Sequence, residues 1–177
     1  MSNIKPSAYK ASPLSRKDIE EYAIFFRKLL GLENTMYVDV ISILENIMPI
    51  LDEKFELYIV PDWELDAHAR TYPNDHIIKI RETVYEGARS GSGRDRFTVM
   101  HEIFHYLKHD SGDISLARNP ENIKPFENPE WQADAFAGAF LAPRYLIENM
   151  TKEEIVKKCG VSEAAATFNL KLAKEKR

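Results

Sequence analysis

The chain has 177 residues, 44% of them hydrophobic, with 24 Lys and Arg set against 28 Asp and Glu for a formal charge of −4. That length supports one compact domain with its own core, and the acidic balance excludes a general nucleic-acid binder, whose affinity comes largely from a basic face. A single cysteine, Cys159, excludes an internal disulfide, and no apolar run reaches the length of a membrane span or a secretory leader, so the expectation is a soluble cytoplasmic protein with no membrane partner.

Residues 1–14, with Pro6 and Pro13 among small polar residues, read as a loose or draped N-terminal arm. Ser15 followed by Asp18 opens a helix through Ile19, Tyr22, Ile24, Phe26 and Leu29 that Gly31 closes, and a second helix from Val40 to Met48 is stopped by Pro49. Both are expected to cover the back of a sheet. Three strands are predicted at Phe55–Val60, Leu65–Thr71 and His76–Ile80, the last two joined by a Tyr72-Pro73-Asn74-Asp75 turn. The expected sheet is small and mostly antiparallel, with His76–Ile80 as the open edge that would pair with an extended substrate. Arg81–Ala88 reads as a short helix. Ser90-Gly91-Ser92-Gly93 then reads as a mobile rim, without the lysine or spacing of a phosphate loop.

Arg96 to His109 carries His101-Glu102-Ile103-Phe104-His105, an H-E-x-x-H motif on a predicted helix. At 3.6 residues per turn the two histidines share a face and can straddle one zinc ion, with Glu102 beside them as a base. Phe97, Met100, Ile103, Phe104 and Leu107 occupy the opposite arc and should be buried, which turns the histidines toward a cleft. The residues thus propose a zinc peptidase. Such a site needs a third protein ligand. His109 continues the face but lies two turns beyond His101, about 12 Å along the axis, so a straight helix cannot bring all three to one ion. Lys108 and Ser111 stand where the longer Gly-containing and His-containing motif would need its Gly and third His. His109 is left as a supporting or substrate-facing residue.

The third ligand is expected from a helix that Asn128 caps and Pro129 begins, on which Glu130, Ala133, Asp134 and Ala137 share a face. Glu130 is the candidate ligand. Asp134, one turn on, is placed to accept the ring N–H of a ligand histidine. The polar connection from Ser111 to Asn128 is expected to wall the substrate groove. After Pro143, Thr151 and Glu154 form a capping box opening a helix that ends at Gly160, and Ser162 caps the last helix, with Val161, Ala164, Ala165, Phe168 and Leu172 as its stripe. A helix-turn-helix reading of this pair conflicts with Val156 where a small residue is needed and with Asn169 at a core position, so direct nucleic-acid binding is not expected. Cys159, among Ile155, Val156 and Val161, is expected to be a packed thiol.

Together, Arg94-Asp95-Arg96-Phe97-Thr98, His101 to His109, Glu130 to Ala137, Leu141-Ala142-Pro143 and the upstream Arg81 to Ala88 resemble the ImmA/IrrE family of metallo-endopeptidases. Ile103-Phe104 and Phe140-Leu141-Ala142 depart from the usual pattern without touching a proposed ligand. The resemblance implies an α+β, mainly helical zincin-like domain of gluzincin type over 15–149, with a helical pair at 150–177. It also implies a bacterial, phage or mobile-element role in transcription regulation, by cleaving a helix-turn-helix repressor. On this reading His101, His105 and Glu130 hold Zn2+ and Glu102 is the base. His109, Tyr72, Tyr85, Tyr106 or Arg94 would face the substrate or stabilise the oxyanion. The rival reading is a metal-containing regulatory module that binds a partner protein or DNA without cutting.

Overall fold

The computed structural model describes residues 7–117 and 120–175. The described elements are, in order, β1 (Tyr9–Ala11), α1 (Arg16–Leu29), α2 (Val40–Ser42), α3 (Met48–Leu51), β2 (Glu56–Val60), β3 (Ala69–Tyr72), β4 (Ile77–Arg81), α4 (Glu82–Arg89), α5 (Gly93–Lys108), β5 (Ile114–Leu116), α6 (Pro129–Leu141), α7 (Arg144–Ile147), α8 (Lys152–Ile155) and α9 (Glu163–Lys174). The protein is mainly helical with two small sheets, an α+β arrangement. No helix among the described residues is long and apolar enough to cross a membrane.

Helix starts follow local chemistry. Ser15 and Asp18 make a reciprocal capping box on α1, as do Thr151 and Glu154 on α8. Stops are less simple. Pro49 does not end the second helix: α2 runs through a π-helical Ile43–Ile47 into α3, with the Met48 N–H bonded to the Ile43 carbonyl. The wider turn makes room for a proline ring that would clash with a carbonyl of the preceding α-helical turn.

The core lies where α5 and α6 pack face to face and α1 covers α6. Phe104 stacks on Phe136 with ring centroids 4.7 Å apart, Phe136 on Phe140 at 5.8 Å, and Phe26 of α1 closes over Phe140 at 5.6 Å. The first helix therefore backs onto α6, not onto the sheet, because its apolar face of Ile19, Ala23 and Phe26 meets this aromatic row. Met100, Ile103 and Phe104 are buried and Phe97 is partly so, whereas Leu107 is largely exposed because the last turn of α5 emerges from the core.

The three-stranded sheet has the order β2-β4-β3. β4 pairs in parallel with β2, Glu56 opposite Ile77, and antiparallel with β3, Ala69 opposite Ile80. The sheet is thus mixed, and the strand expected at the open edge is its centre, with Ile78 and Ile80 fully buried. The cause is the β2–β3 connection: it passes through the 3₁₀ turn Asp62–Glu64 and skips a position, while Pro73–Asp75 and a left-handed His76 fold β4 back between its neighbours. β3 is left as the edge strand next to α5.

A second sheet pairs β1 with β5, Tyr9 opposite Leu116. From Tyr9 onward the arm is therefore fastened down: Ala11 is buried and the Leu14 N–H donates to the Phe126 carbonyl. The expectation of a loose arm at residues 1–6 falls outside the described residues. Ser90 to Gly93 is likewise no mobile rim. Ser90 caps α4, Ser92 caps α5, and a Cβ built on Gly93 would stand 2.5 Å from the Val161–Ser162 backbone. Gly93→Ala should therefore cost about 1–3 kcal/mol by overpacking. Urea melts will measure it, and a loss below about 0.5 kcal/mol would show the contact to be soft.

At the C-terminus the expected stripe holds only in part: Val161 is buried and Ala165 packs partly buried on the core, but Ala164 and Phe168 are exposed, and the buried residues of α9 are Ala166 and Asn169. Asn169 Nδ2 donates to the Gly138 carbonyl at 3.1 Å, and the missing side chain of Gly138 admits the amide. Cys159 is fully buried, and burial pushes its thiol up.

Candidate metal centre

The α5 helix starts at Ser92, whose hydroxyl accepts from the Asp95 N–H. With Val99, Met100 and Ile103 fully buried, the His101 and His105 side chains project toward α6. There Asn128 Oδ1 accepts from the Glu130 and Trp131 N–H groups, which sets the α6 entry, and Ala133 and Ala137, both fully buried, let the two helices approach closely. Glu130 consequently reaches the histidine pair. Its Oε2 lies 3.5 Å from His101 Nε2 and its Oε1 lies 3.3 Å from His105 Nε2, while the two Nε2 atoms are 3.0 Å apart. Asp134 Oδ1 is 2.8 Å from His101 Nδ1.

Ligating atoms of His101, His105 and Glu130 all fall within 4.8 Å of one another. Electron-rich atoms at that spacing repel unless positive charge sits among them, and the titration of the site registers the demand. Burial opposes the charged form of His101, yet hydrogen bonds to Asp134 and Glu130 outweigh it and push the ring up to about 9. Hydrogen bonds from His101 and His105 hold Glu130 well below the usual carboxylate range against the cost of its burial. A divalent cation answers the same demand. Two imidazoles and one carboxylate are also the donor set of catalytic zinc with a fourth position left open.

Glu102 flanks the pair, 8% exposed, and the Thr71 hydroxyl donates to its Oε2 at 2.6 Å. Thr71 belongs to β3, so the edge strand and the candidate base meet at one hydroxyl. The sequence reading missed Thr71. Once β3 is known to be the edge, its alternation places Ala69 and Thr71 on one face and Arg70 and Tyr72 on the other. A cleft of about 360 Å³ runs over the centre, with Ser7, Tyr9, Arg70 and Thr71 among the residues lining it. The first two come from a segment that sequence patterning left as an arm.

Four of the remaining candidates lie outside the cleft. Tyr85 donates to Glu45, Tyr106 donates to Asp52 at 2.6 Å, and Arg94 contacts His68 Nε2 at 2.7 Å; with Tyr72, none of them lines the cleft. Tyr85, Tyr106 and Arg94 are each claimed by a partner distant in sequence. His109 does line the cleft, but it is 6% exposed and lies one turn beyond His105, its Nδ1 2.8 Å from His105 Nδ1 and its Nε2 2.8 Å from Gln132 Oε1. Burial first, and the neighbouring His105 second, lower it to about 4.

The Tyr106 partner gives a pH prediction. Hydrogen bonds from Tyr106, the Lys54 N–H and His76 depress Asp52 from 3.8 to about 2. Since the unfolded chain then takes up the proton first on acidification, this contribution is complete above 3.8 and is lost as pH falls through about 2. Thermal melts of Asp52→Asn should vary less than those of the native protein across that window; parallel curves would refute the linkage.

Comparison with curated proteins finds no match. A solved structure described as a Mycobacterium tuberculosis transcriptional regulator superposes with a TM-score of 0.61 at 16% identity, covering 91% of this chain and 48% of the other, so this chain spans about half of that protein's length. That likeness concerns the fold. The family model for the IrrE N-terminal-like domain, Peptidase_M78, matches residues 57–171, which include both helices of the centre and the edge strand beside them. By that match over well more than half of its length, the chain belongs to the Peptidase_M78 (IrrE N-terminal-like) family.

Proposed function

We propose that the protein is a zinc-dependent endopeptidase of gluzincin type, working in the cytoplasm on a DNA-binding helix-turn-helix repressor and relieving repression by cutting it. The observation that carries this is the meeting of His101 and His105 from α5 with Glu130 from α6, beside Glu102 and under an edge strand. Membership of a peptidase family supports the reaction, and the resemblance of the motifs to repressor-cleaving relatives supports the substrate.

In this reading His101, His105 and Glu130 hold Zn2+, which when bound supplies a Lewis acid that acidifies water and polarises a carbonyl. Asp134 accepts the His101 Nδ1–H and so presents Nε2 inward. The substrate backbone lies along β3, whose outer side pairs with no other described strand. Glu102, held by Thr71 through Oε2, takes a proton from the attacking water on its other oxygen and returns it to the leaving amine. Tyr9 and Arg70, the latter ion-paired with Asp66 at 2.9 Å, both line the cleft and are candidate donors to a developing oxyanion.

The test is incubation of the zinc-loaded protein with a repressor encoded by a neighbouring gene. Discrete fragments that vanish with chelator and return with zinc support the reading. A repressor that is bound yet stays intact at every zinc level would instead make this a sequestering module.

A further inference from the structure

We propose that His109 and Gln132 form a buried positioning relay that fixes the tautomer of His105, and that through Gln132 the seating of the N-terminal arm governs how this ligand is presented. The relay can be read from its far end. Gln132 is fully buried, and its Nε2 lies 2.9 Å from the Ser12 carbonyl and 2.8 Å from the Phe126 carbonyl. Both are pure acceptors, so the amide nitrogen must face them and Oε1 must face His109. Oε1 can only accept; His109 Nε2 therefore carries the hydrogen of that 2.8 Å bond. His109 is buried and bonds to an amide and a ring, with no carboxylate hydrogen-bonded to it among the described residues, so its Nδ1 offers the lone pair and the 2.8 Å contact places a hydrogen on His105 Nδ1. His105 Nε2 is thereby the nitrogen left to face the centre, towards His101 Nε2 and Glu130.

Each step is set by the one before, beginning from two backbone carbonyls. One of these, Ser12, directly follows β1; the other, Phe126, precedes the α6 cap. Phe104 packs edge-on against the His109 ring at 5.2 Å and holds its plane. His109 is thus the counterpart for His105 of what Asp134 is for His101, and Gln132 ties the arm, the β5–α6 connection and α5 to one amide.

This inference rests on the metal-centre reading, and its test does not use cleavage. Nitrogen NMR of the metal-free full chain, with histidine signals assigned by substitution, should show His105 protonated on Nδ1 and His109 on Nε2. Zinc affinity, measured by competition with a chromophoric chelator, should fall roughly 10–100-fold in His109→Phe, which keeps the ring packing, and recover mostly in His109→Gln, whose amide again offers an acceptor and a donor. Gln132→Glu, which retains the acceptor but loses both donors, should lower it less. A native His105 with no hydrogen on Nδ1 overturns the relay, as does a folded His109→Phe with zinc affinity within about twofold of native. Should His109→Phe not fold, the native tautomers and Gln132→Glu still decide. Zinc binding that follows these expectations without any cleavage would sink the peptidase reading and leave the relay standing.

Discussion

Replacing Glu102 with Gln is expected to lower the rate of repressor cleavage by roughly 10²–10⁴-fold, the usual worth of a positioned general base. Zinc stoichiometry should stay native. The amide is nearly isosteric, sits in the same buried position and can still accept from the Thr71 hydroxyl through its oxygen, so the local structure has little reason to move. What disappears is a group able to accept a proton from water. Single-turnover cleavage with a metal determination on the same sample measures both arms. Cleavage at the native rate would remove Glu102 from the mechanism, and loss of zinc with loss of rate would show it to be a supporting ligand instead.

The second large effect lies away from the cleft. Arg96→Leu should destabilise the fold by about 3–5 kcal/mol, a sizeable part of what holds a domain together. Arg96 is 1% exposed and its guanidinium donates to the Cys159, Gly160 and Val38 carbonyls while lying 3.9 Å from the Tyr37 ring centroid. Burial lowers its proton affinity, with no carboxylate among the bonded partners. Leucine fills much of the space but takes the guanidinium donor from three carbonyls, of which those of Cys159 and Val38 are buried and worth about 1–3 kcal/mol each before relaxation. The melting temperature should fall by roughly 10 °C or more. A change below about 2 °C would mean that water replaces the guanidinium.

These two arginine and glutamate positions mark what the sequence discloses. The place of Glu102 beside the histidines was legible because it is written in local spacing: two histidines four apart, a carboxylate beside the first, and Asn128-Pro129 starting the helix that delivers Glu130. Helix caps at Ser15 and Thr151 are local in the same way. Arg96 was not legible as an interior residue, since an arginine on an amphipathic helix reads as solvated and its acceptors lie about Val38 and Cys159, far along the chain in both directions. The sheet order failed for the same reason: β2 and β4 pair in parallel across an intervening strand, which no hairpin signal announces. β1 and β5 are only three residues each and pair across more than half the chain. Tyr85 and Tyr106 looked available only while Glu45 and Asp52 were unplaced. The α9 stripe misled because a glycine on α6 makes burying Asn169 cheaper than burying Phe168.

If the protein is the proposed peptidase, the brevity of β3 would limit which targets it can handle. Four residues, Ala69–Tyr72, offer docking for only a short run of extended backbone. A well-folded target keeps its own chain coiled into helices or occupied in ladders, and must release such a run before it can be threaded past Thr71. Susceptibility would then track how readily a target frays at one hinge or linker, so that a stimulus loosening the repressor could switch on its destruction with no change in the protease.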